Sequence, residues 1–355
     1  MESSIIGICE TMCPLNEIKL RTREGLLHFY ERKPSRTGEY IVDESRVVKE
    51  FSRSAAGVQS PKPNNLRTKQ CLKRTVEYLL WDIITDDRKP FHVAYDFIFD
   101  RLRAIRQEIV IQDFDEITTI ELIEPMIMFL AYSLYRLVDE PIERFDPKIC
   151  RQHLQECLKK VLKCYDTLDE SSEKNHGDDA DVQKAVAHRE FIESLYLLFN
   201  LGSGESLARA LHTPSKFKNS TFKCSFTVAL SFWTRNFYKC LSNIMNLPYI
   251  LCAVASLHVQ SIRRELVQSF SVAYHNKLLS VSLEWLKNIT FFHSVQELIL
   301  DLRYYGLSVD TQTKTVNFQR DAFQASKPII KSRREQFVDV QLKYSIKDML
   351  LLIKI

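Results

Sequence analysis

The segment CETMCPLNEIKLR, Cys9 to Arg21, places two thiols four residues apart beside Met12, Pro14, Glu17 and Arg21. Thiolates this close can ligate zinc or exchange with a disulfide, but CxxxC is not the redox CxxC spacing, and a closed zinc site needs two further ligands where only His28 is near. The competing reading is packing, with Cys9, Met12 and Cys13 buried as apolar contacts. Pro14 and Glu17 then start a helix reaching toward Glu31, and Glu17 and Arg21 enter ion pairs.

The other chemistry-bearing residues are dispersed. Cys150, Cys157 and Cys164 recur with Leu154, Val161 and Leu168 on one helical face; seven residues on a helix is about 10 Å, too far to share a metal shell. Asp113, Asp115 and Glu116 lack the acids of a calcium loop and read as helix N-terminal acids. Gly202 and Gly204 follow a helical pattern, so they fit a turn between helices and support neither a P-loop nor a dinucleotide fingerprint. The nine histidines form no HExxH, and GxSxG is absent. No cofactor, metal or small-molecule substrate is implied, and the sequence reads as non-enzymatic.

Two basic groups remain. In DRLRAIRQE, Asp100 to Glu108, Arg103 and Arg106 lie away from Leu102 and Ile105, positioned for phosphate, a partner's acids, or ion pairs within the fold. Farther on, Lys327, Lys331, Arg333 and Arg334 form a run free of acids, which fits either nucleic acid or a solvated surface. A net charge of +4 over 355 residues gives no chain-wide attraction to polyanions, so any such surface must be local.

Residues 1–70 are irregular, with prolines at 34, 61 and 63, and read as an extended arm with short helices. Residues 71–276 carry the 3.6-residue period in successive segments: Leu72 to Ile83, Ile98 to Ile109, a helix opened by Pro125, then Cys150 to Leu168. Polar Ser171 to Gln183 reads as a loop. Helices follow over Phe191–Leu201, Glu205–Leu211, Phe226–Met245, Pro248–His258 and Ser261–Tyr274, as an array of stacked helical hairpins. Residues 277–322 read as a winged helix: a capping box at Ser294 and Glu297, a stop at Gly306, and alternating Leu307, Val309, Val316 and Phe318 around a tip at Thr311 to Lys314. Residues 323–355 are a basic segment and an amphipathic tail. The run Tyr249–Leu257 is short of the roughly 20 residues that span a bilayer, and no secretory leader precedes Thr11. With unpaired cysteines, these features predict a soluble intracellular chain.

In order and spacing the motifs resemble those of the GANP family, the germinal-centre-associated nuclear protein and its yeast suppressor-of-actin relatives. Cys9, Met12, Cys13, Pro14, Glu17 and Arg21 match the first; Val48, Lys49, Phe51, Arg53, Ala55, Ala56 and Gly57 the second; Asp100, Arg101, Arg103, Ile105 and Arg106 the third. The likeness continues to about residue 345. It implies a mainly α, PCI-like array capped by a winged helix, in a nuclear scaffold of the transcription-and-export complex that brings mRNA particles to the pore. The implied partners are a second PCI-type subunit, a small acidic DSS-type subunit and mRNA, with Arg303, Lys314, Arg320, Lys331, Arg333 and Arg334 facing nucleic acid. The FG-type repeats and long centrin-binding helix of the large members are not matched, which leaves pore tethering and centrin as open expectations. A centrosome or spindle scaffold, or a PCI subunit of a proteasome-lid-like assembly, is the alternative role.

Overall fold

The computed structural model describes residues 5–35, 39–53, 62–175, 180–343 and 345–352, and the chain is mainly α-helical. Ala55, Ala56 and Gly57 of the second motif lie outside the described residues. The chain forms two compact units: one of residues 1–133, 143–187 and 344–355, the other of residues 134–142 and 188–343.

In the first unit, helix α1 (Leu15–Arg23) follows Pro14 and stops well short of Glu31, because the chain reverses at Gly25 with φ +69°. A 3-10 turn at Phe29–Glu31 leads into a hairpin that sequence reading does not anticipate, β1 (Arg32–Pro34) antiparallel to β2 (Tyr40–Val42). Cys13, Ile18, Leu27 and Val47 form a small core of their own under this arm.

Helix α2 (Lys69–Tyr78) is capped by Thr68 and runs into a π turn at Leu79–Ile83; α3 (Phe91–Ile111) follows. Helix α4 (Glu116–Arg136) contains Pro125 in its interior, contrary to the expectation that this proline opens the helix. The helix starts earlier because Asp115 accepts from the Thr118 N–H at 2.8 Å. An interior proline costs about 3 kcal/mol, and the burial of nearly every side chain from Leu122 to Tyr135 outweighs it. Among the described residues this is the one helix long and apolar enough to cross a bilayer, and 83% of its apolar window is buried within the protein, as in a core helix.

Helix α5 (Pro147–Asn175) continues through part of the polar stretch expected as a loop, and α6 (Ala180–Ala185) follows it. At the start of that stretch Ser171 is exposed and donates to the Thr167 carbonyl one turn back at 2.9 Å. Cys150, Cys157 and Cys164 are all buried along α5, and burial pushes the Cys150 thiol up to about 12 and Cys157 to about 11.

The second unit begins its helices with α7 (Arg189–Phe199) and α8 (Gly204–His212), joined by a turn at Gly202 with φ +89°. The expected single helix Phe226–Met245 is two, α9 (Ser220–Trp233) and α10 (Phe237–Ile244). Arg235 at φ 60° breaks the run, and Asn236 caps the new helix by accepting from the Lys239 N–H. Then come the buried α11 (Tyr249–Ser256) and α12 (Val259–Ala273).

Beyond α12 lie β3 (Val281–Ser282), α13 (Leu283–Thr290), α14 (Val295–Tyr304), β4 (Val309–Asp310) and β5 (Thr315–Val316), with an antiparallel sheet of order β3-β5-β4. Leu286, Phe292, Leu298, Leu302, Val316 and Phe318 form the core between sheet and helices. Gly306 ends α14 at φ +88°, and a Cβ there would sit 2.6 Å from the Ala322 carbonyl oxygen. Half of the expected capping box forms: Ser294 Oγ accepts from the Glu297 N–H at 3.2 Å, while the Glu297 carboxylate turns to Arg333 at 3.5 Å. Helix α15 (Gln336–Asp339) closes the unit, and a short helix at Ile346–Leu350 belongs again to the first one, with Met349 and Leu350 buried.

Candidate functional site

The arm is attached to α3 by charges that lie on buried faces. On α3 the inward stripe of Ala94, Phe97, Ile98, Leu102, Ile105 and Ile109 also carries Arg101 and Glu108, both buried. Arg101 donates to Glu31 at 3.2 Å, to Glu50 at 2.9 Å and to Asp100 at 2.7 Å. Arg21, 2% exposed on α1, donates to the same Glu31, to Glu50 at 2.8 Å and to the Val48 carbonyl at 3.1 Å. Glu31 is fully buried and also accepts the backbone N–H groups of His28 at 2.8 Å and Val48 at 3.1 Å. Two guanidiniums on separate elements therefore share one carboxylate, the arrangement in which a buried charge is tolerable. Glu17 accepts from the Glu50 N–H at 2.9 Å, and Asp100 from the Phe51 N–H at 3.2 Å.

A second knot lies about two turns along α3. Glu108 accepts from the Arg67 backbone N–H at 2.7 Å, from its side chain at 3.0 to 3.1 Å, and from Lys49 at 2.8 Å. Gln112 accepts from the Gly7 N–H at 2.8 Å and donates to the Arg67 carbonyl at 3.0 Å. A side chain at position 7 would place its Cβ 2.6 Å from the Leu66 carbonyl oxygen, so glycine is required there by contact. Cys9 and Arg67 form a parallel bridge, with Cys9 N–H to Leu66 O at 2.9 Å and Thr68 N–H to Cys9 O at 3.0 Å.

The motif residues are thus brought together as a docking apparatus. Cys13 is buried, and burial together with Glu17 raises its thiol pKa well above the ordinary range, so it stays protonated. Cys9 and Met12 are not fully buried as the sequence suggests, because the bridge to Arg67 uses the Cys9 backbone and leaves its thiol beside the Thr11 carbonyl at 3.3 Å. Among the described residues no group of three or more His, Cys, Asp or Glu side chains is placed to hold a metal ion. Arg106 is paired with Glu156 at 2.8 Å and His153 at 2.6 Å, and Arg103 lies 3.9 Å over the Phe51 ring. Arg53 is exposed.

In the second unit the six basic residues separate into two kinds. Arg303 at the end of α14, Lys314 at the hairpin tip, Arg320 and Lys331 are exposed and have no carboxylate partner among the described residues. Arg333 instead reaches Glu297 at 3.5 Å and Asp301 at 3.8 Å, and Arg334 pairs with Asp339 at 2.9 Å. Beneath them lies a clamp that sequence reading misses. Arg263 of α12 donates to both oxygens of Glu335, at 2.6 and 3.0 Å, and to the carbonyls of Thr290 and Phe291 at 2.9 and 2.6 Å. Its guanidinium lies 4.0 Å over Phe292. Tyr135 Oη donates to the Glu335 carbonyl and accepts its N–H, both at 3.0 Å. The one signal in the sequence is an arginine on the apolar stripe Val259, Ile262, Leu266, just as Arg101 lies on that of α3.

Asp301 of α14 is buried, and desolvation pushes its carboxyl up to about 6 despite Arg333 and Arg263 nearby. A folded pKa above the unfolded value of about 4 makes its contribution favourable below that value and lost as pH rises through 6. Asp301→Asn is therefore expected to raise the thermal midpoint at pH 7.5, by on the order of 1 kcal/mol of stability, with the gain vanishing near pH 4. Equal midpoints for the two proteins at pH 7.5 would contradict the raised pKa.

Residues 12–311 match the family model described as the SAC3/GANP family. The chain belongs to the SAC3/GANP family. Among curated relatives, Protein xmas of Drosophila melanogaster is 24% identical over 322 residues, covering 87% of this chain and 15% of the fly protein. SAC3 family protein 1 of Schizosaccharomyces pombe is 24% identical over 343 residues, covering 90% and 32%. SAC3 family protein B of Arabidopsis thaliana is 29% identical over 169 residues, covering 46% and 10%. The SAC3/GANP chain thus spans less than a third of the length of these relatives. The region it shares with the SAC3/GANP family model contains the docking knots at Glu31 and Glu108 and, in the second unit, β3, α13, α14 and β4.

Proposed function

We propose that this SAC3/GANP family chain is a non-enzymatic nuclear scaffold of the mRNA export machinery, with residues 277–322 acting as a winged helix that meets a second PCI-type subunit and RNA. The observation that carries the reading is the order α12, β3, α13, α14, β4, β5 with sheet order β3-β5-β4, within a chain of this family. Leu278, Trp285 and Leu300 are exposed around that fold at 94%, 44% and 58%, apolar surface suited to a protein partner. Arg303, Lys314, Arg320 and Lys331 supply unpaired cations for phosphates. The small acidic subunit and the pore follow from the family reading, whereas the division into arm, helical array, winged helix and tail at residues 70, 276 and 322 follows from the sequence patterning.

The test is affinity purification of the tagged chain from nuclear extract. Recovery of a second PCI-type subunit together with poly(A) RNA is expected. Changing the four unpaired cations to Glu should lower RNA recovery and flatten its salt dependence by roughly 0.7 in log–log slope for each phosphate no longer neutralised, with the protein partner retained. A preparation that yields neither partner nor RNA would refute the reading.

A further inference from the structure

A cavity of about 380 Å³ opens in the first unit where α3, α4 and α5 meet, lined by Phe51, Arg103, Arg106, His153, Glu156 and Lys160 over an apolar floor. Arg103 is stacked on Phe51 at 3.9 Å with Phe99 at 5.8 Å behind it, so its guanidinium is positioned by rings. It has no carboxylate partner among the described residues. Arg106 is already satisfied by Glu156 and His153, and burial together with Arg106 lowers the His153 pKa, leaving that ring neutral. Three permanent cations therefore surround one carboxylate.

We propose that this cavity seats a backbone phosphate of single-stranded RNA, gripped by Arg103 and Lys160, and that the strand runs on along α5 past Lys163. Positions 153, 156, 160 and 163 alternate in steps of three and four and share a face of α5, on which Lys160 and Lys163 are exposed. The separation of the two lysines along the axis is about 4.5 Å, of the order of the charge repeat of a nucleic-acid strand, about 3.4 Å in a duplex. Two successive lysines on that face, one at the cavity and one a turn beyond it, suit a polyanion better than a single phosphorylated side chain. The ring-held fork of Arg103 suits a phosphate's paired oxygens, which lysine meets only as a point charge.

The inference rests on the RNA-binding reading above but places a contact on a different unit of the chain, so the two can fail separately. The full chain is titrated against a short fluorescein-labelled oligouridylate, followed by anisotropy over a range of salt. Lys160→Glu with Lys163→Glu, both on exposed helix surface, should weaken binding on the order of tenfold and lower the salt slope by about 1.4, with an unchanged thermal midpoint. Arg103→Lys, which keeps charge and loses the fork, should weaken it about threefold. Unchanged affinity in the double variant, while reversal of Arg303, Lys314, Arg320 and Lys331 does weaken binding, overturns this proposal and leaves the scaffold reading standing. A phosphoserine peptide that binds the unmutated chain but not the double variant, with RNA affinity equal in both, assigns the seat to a phosphoprotein and also overturns it. Failure of the unmutated chain to bind the oligonucleotide overturns both.

Discussion

Glu31→Ala should destabilise the first unit by about 3–5 kcal/mol, the cost of deleting one partner from a buried ion cluster and leaving the others without compensation. Two guanidiniums, Arg21 and Arg101, and the N–H groups of His28 and Val48 lose their common acceptor together. Glu50 still reaches both arginines, at 2.8 and 2.9 Å, but is itself partly exposed and compensates only in part. The expected result is a fall in the urea midpoint at unchanged slope, with earlier proteolytic cleavage within residues 5–53 than in the body. Glu31→Gln keeps the shape and one acceptor oxygen and removes the charge, so it should fall between. If Glu31→Ala unfolds at the same urea concentration as the unmutated chain, the arm is held by its small apolar core and the ion cluster is incidental.

Arg263→Ala is expected to be as costly in the second unit, again about 3–5 kcal/mol, because Glu335 loses a bidentate partner while buried. Two carbonyls at the end of α13, those of Thr290 and Phe291, lose their donor in the same step. The consequence reaches the proposed RNA surface. Glu335 follows the basic run directly, and once it is released the segment from Lys331 to Val340 should exchange its amide hydrogens faster than the core of α14 does. Hydrogen-exchange mass spectrometry reads this directly; retention of slow exchange from Glu335 to Val340 in Arg263→Ala would show that Tyr135 and Val338 hold the segment without the clamp.

Much of the helical pattern is legible in the sequence because periodicity depends on near neighbours. Cys150, Leu154, Cys157, Val161 and Cys164 occupy the buried face that their spacing implies. What local pattern does not give is the outcome of competition. Pro125 reads as a start by propensity, and only the burial of the whole of α4 reveals why it sits inside. The break at Arg235 needs a residue at positive φ that no spacing rule marks. At the arm, spacing singles out the motif residues but not their partners: Glu31 pairs with Arg21 and with Arg101, at separations of 10 and 70 residues, and Glu108 reaches back 41 residues to Arg67. Charges on an apolar stripe, Arg101, Glu108 and Arg263, are the readable trace of these pairings. Charge runs are the less reliable guide, since Arg333 and Arg334 are drawn into ion pairs while Lys331 beside them is not.

The bridge between Cys9 and Arg67 gives the arm the topology of a closed ring. Its two ends are pinned at one place, next to Glu108, so the chain between them is a loop whose closure is already made. The entropy of closing such a loop rises only with the logarithm of its length, about 0.6 kcal/mol for each doubling. By that measure length between the two ends is a weak constraint, whereas a side chain at Gly7 would place its Cβ 2.6 Å from the Leu66 carbonyl oxygen. Position at the clasp, not the length of chain it encloses, is what the contacts there fix.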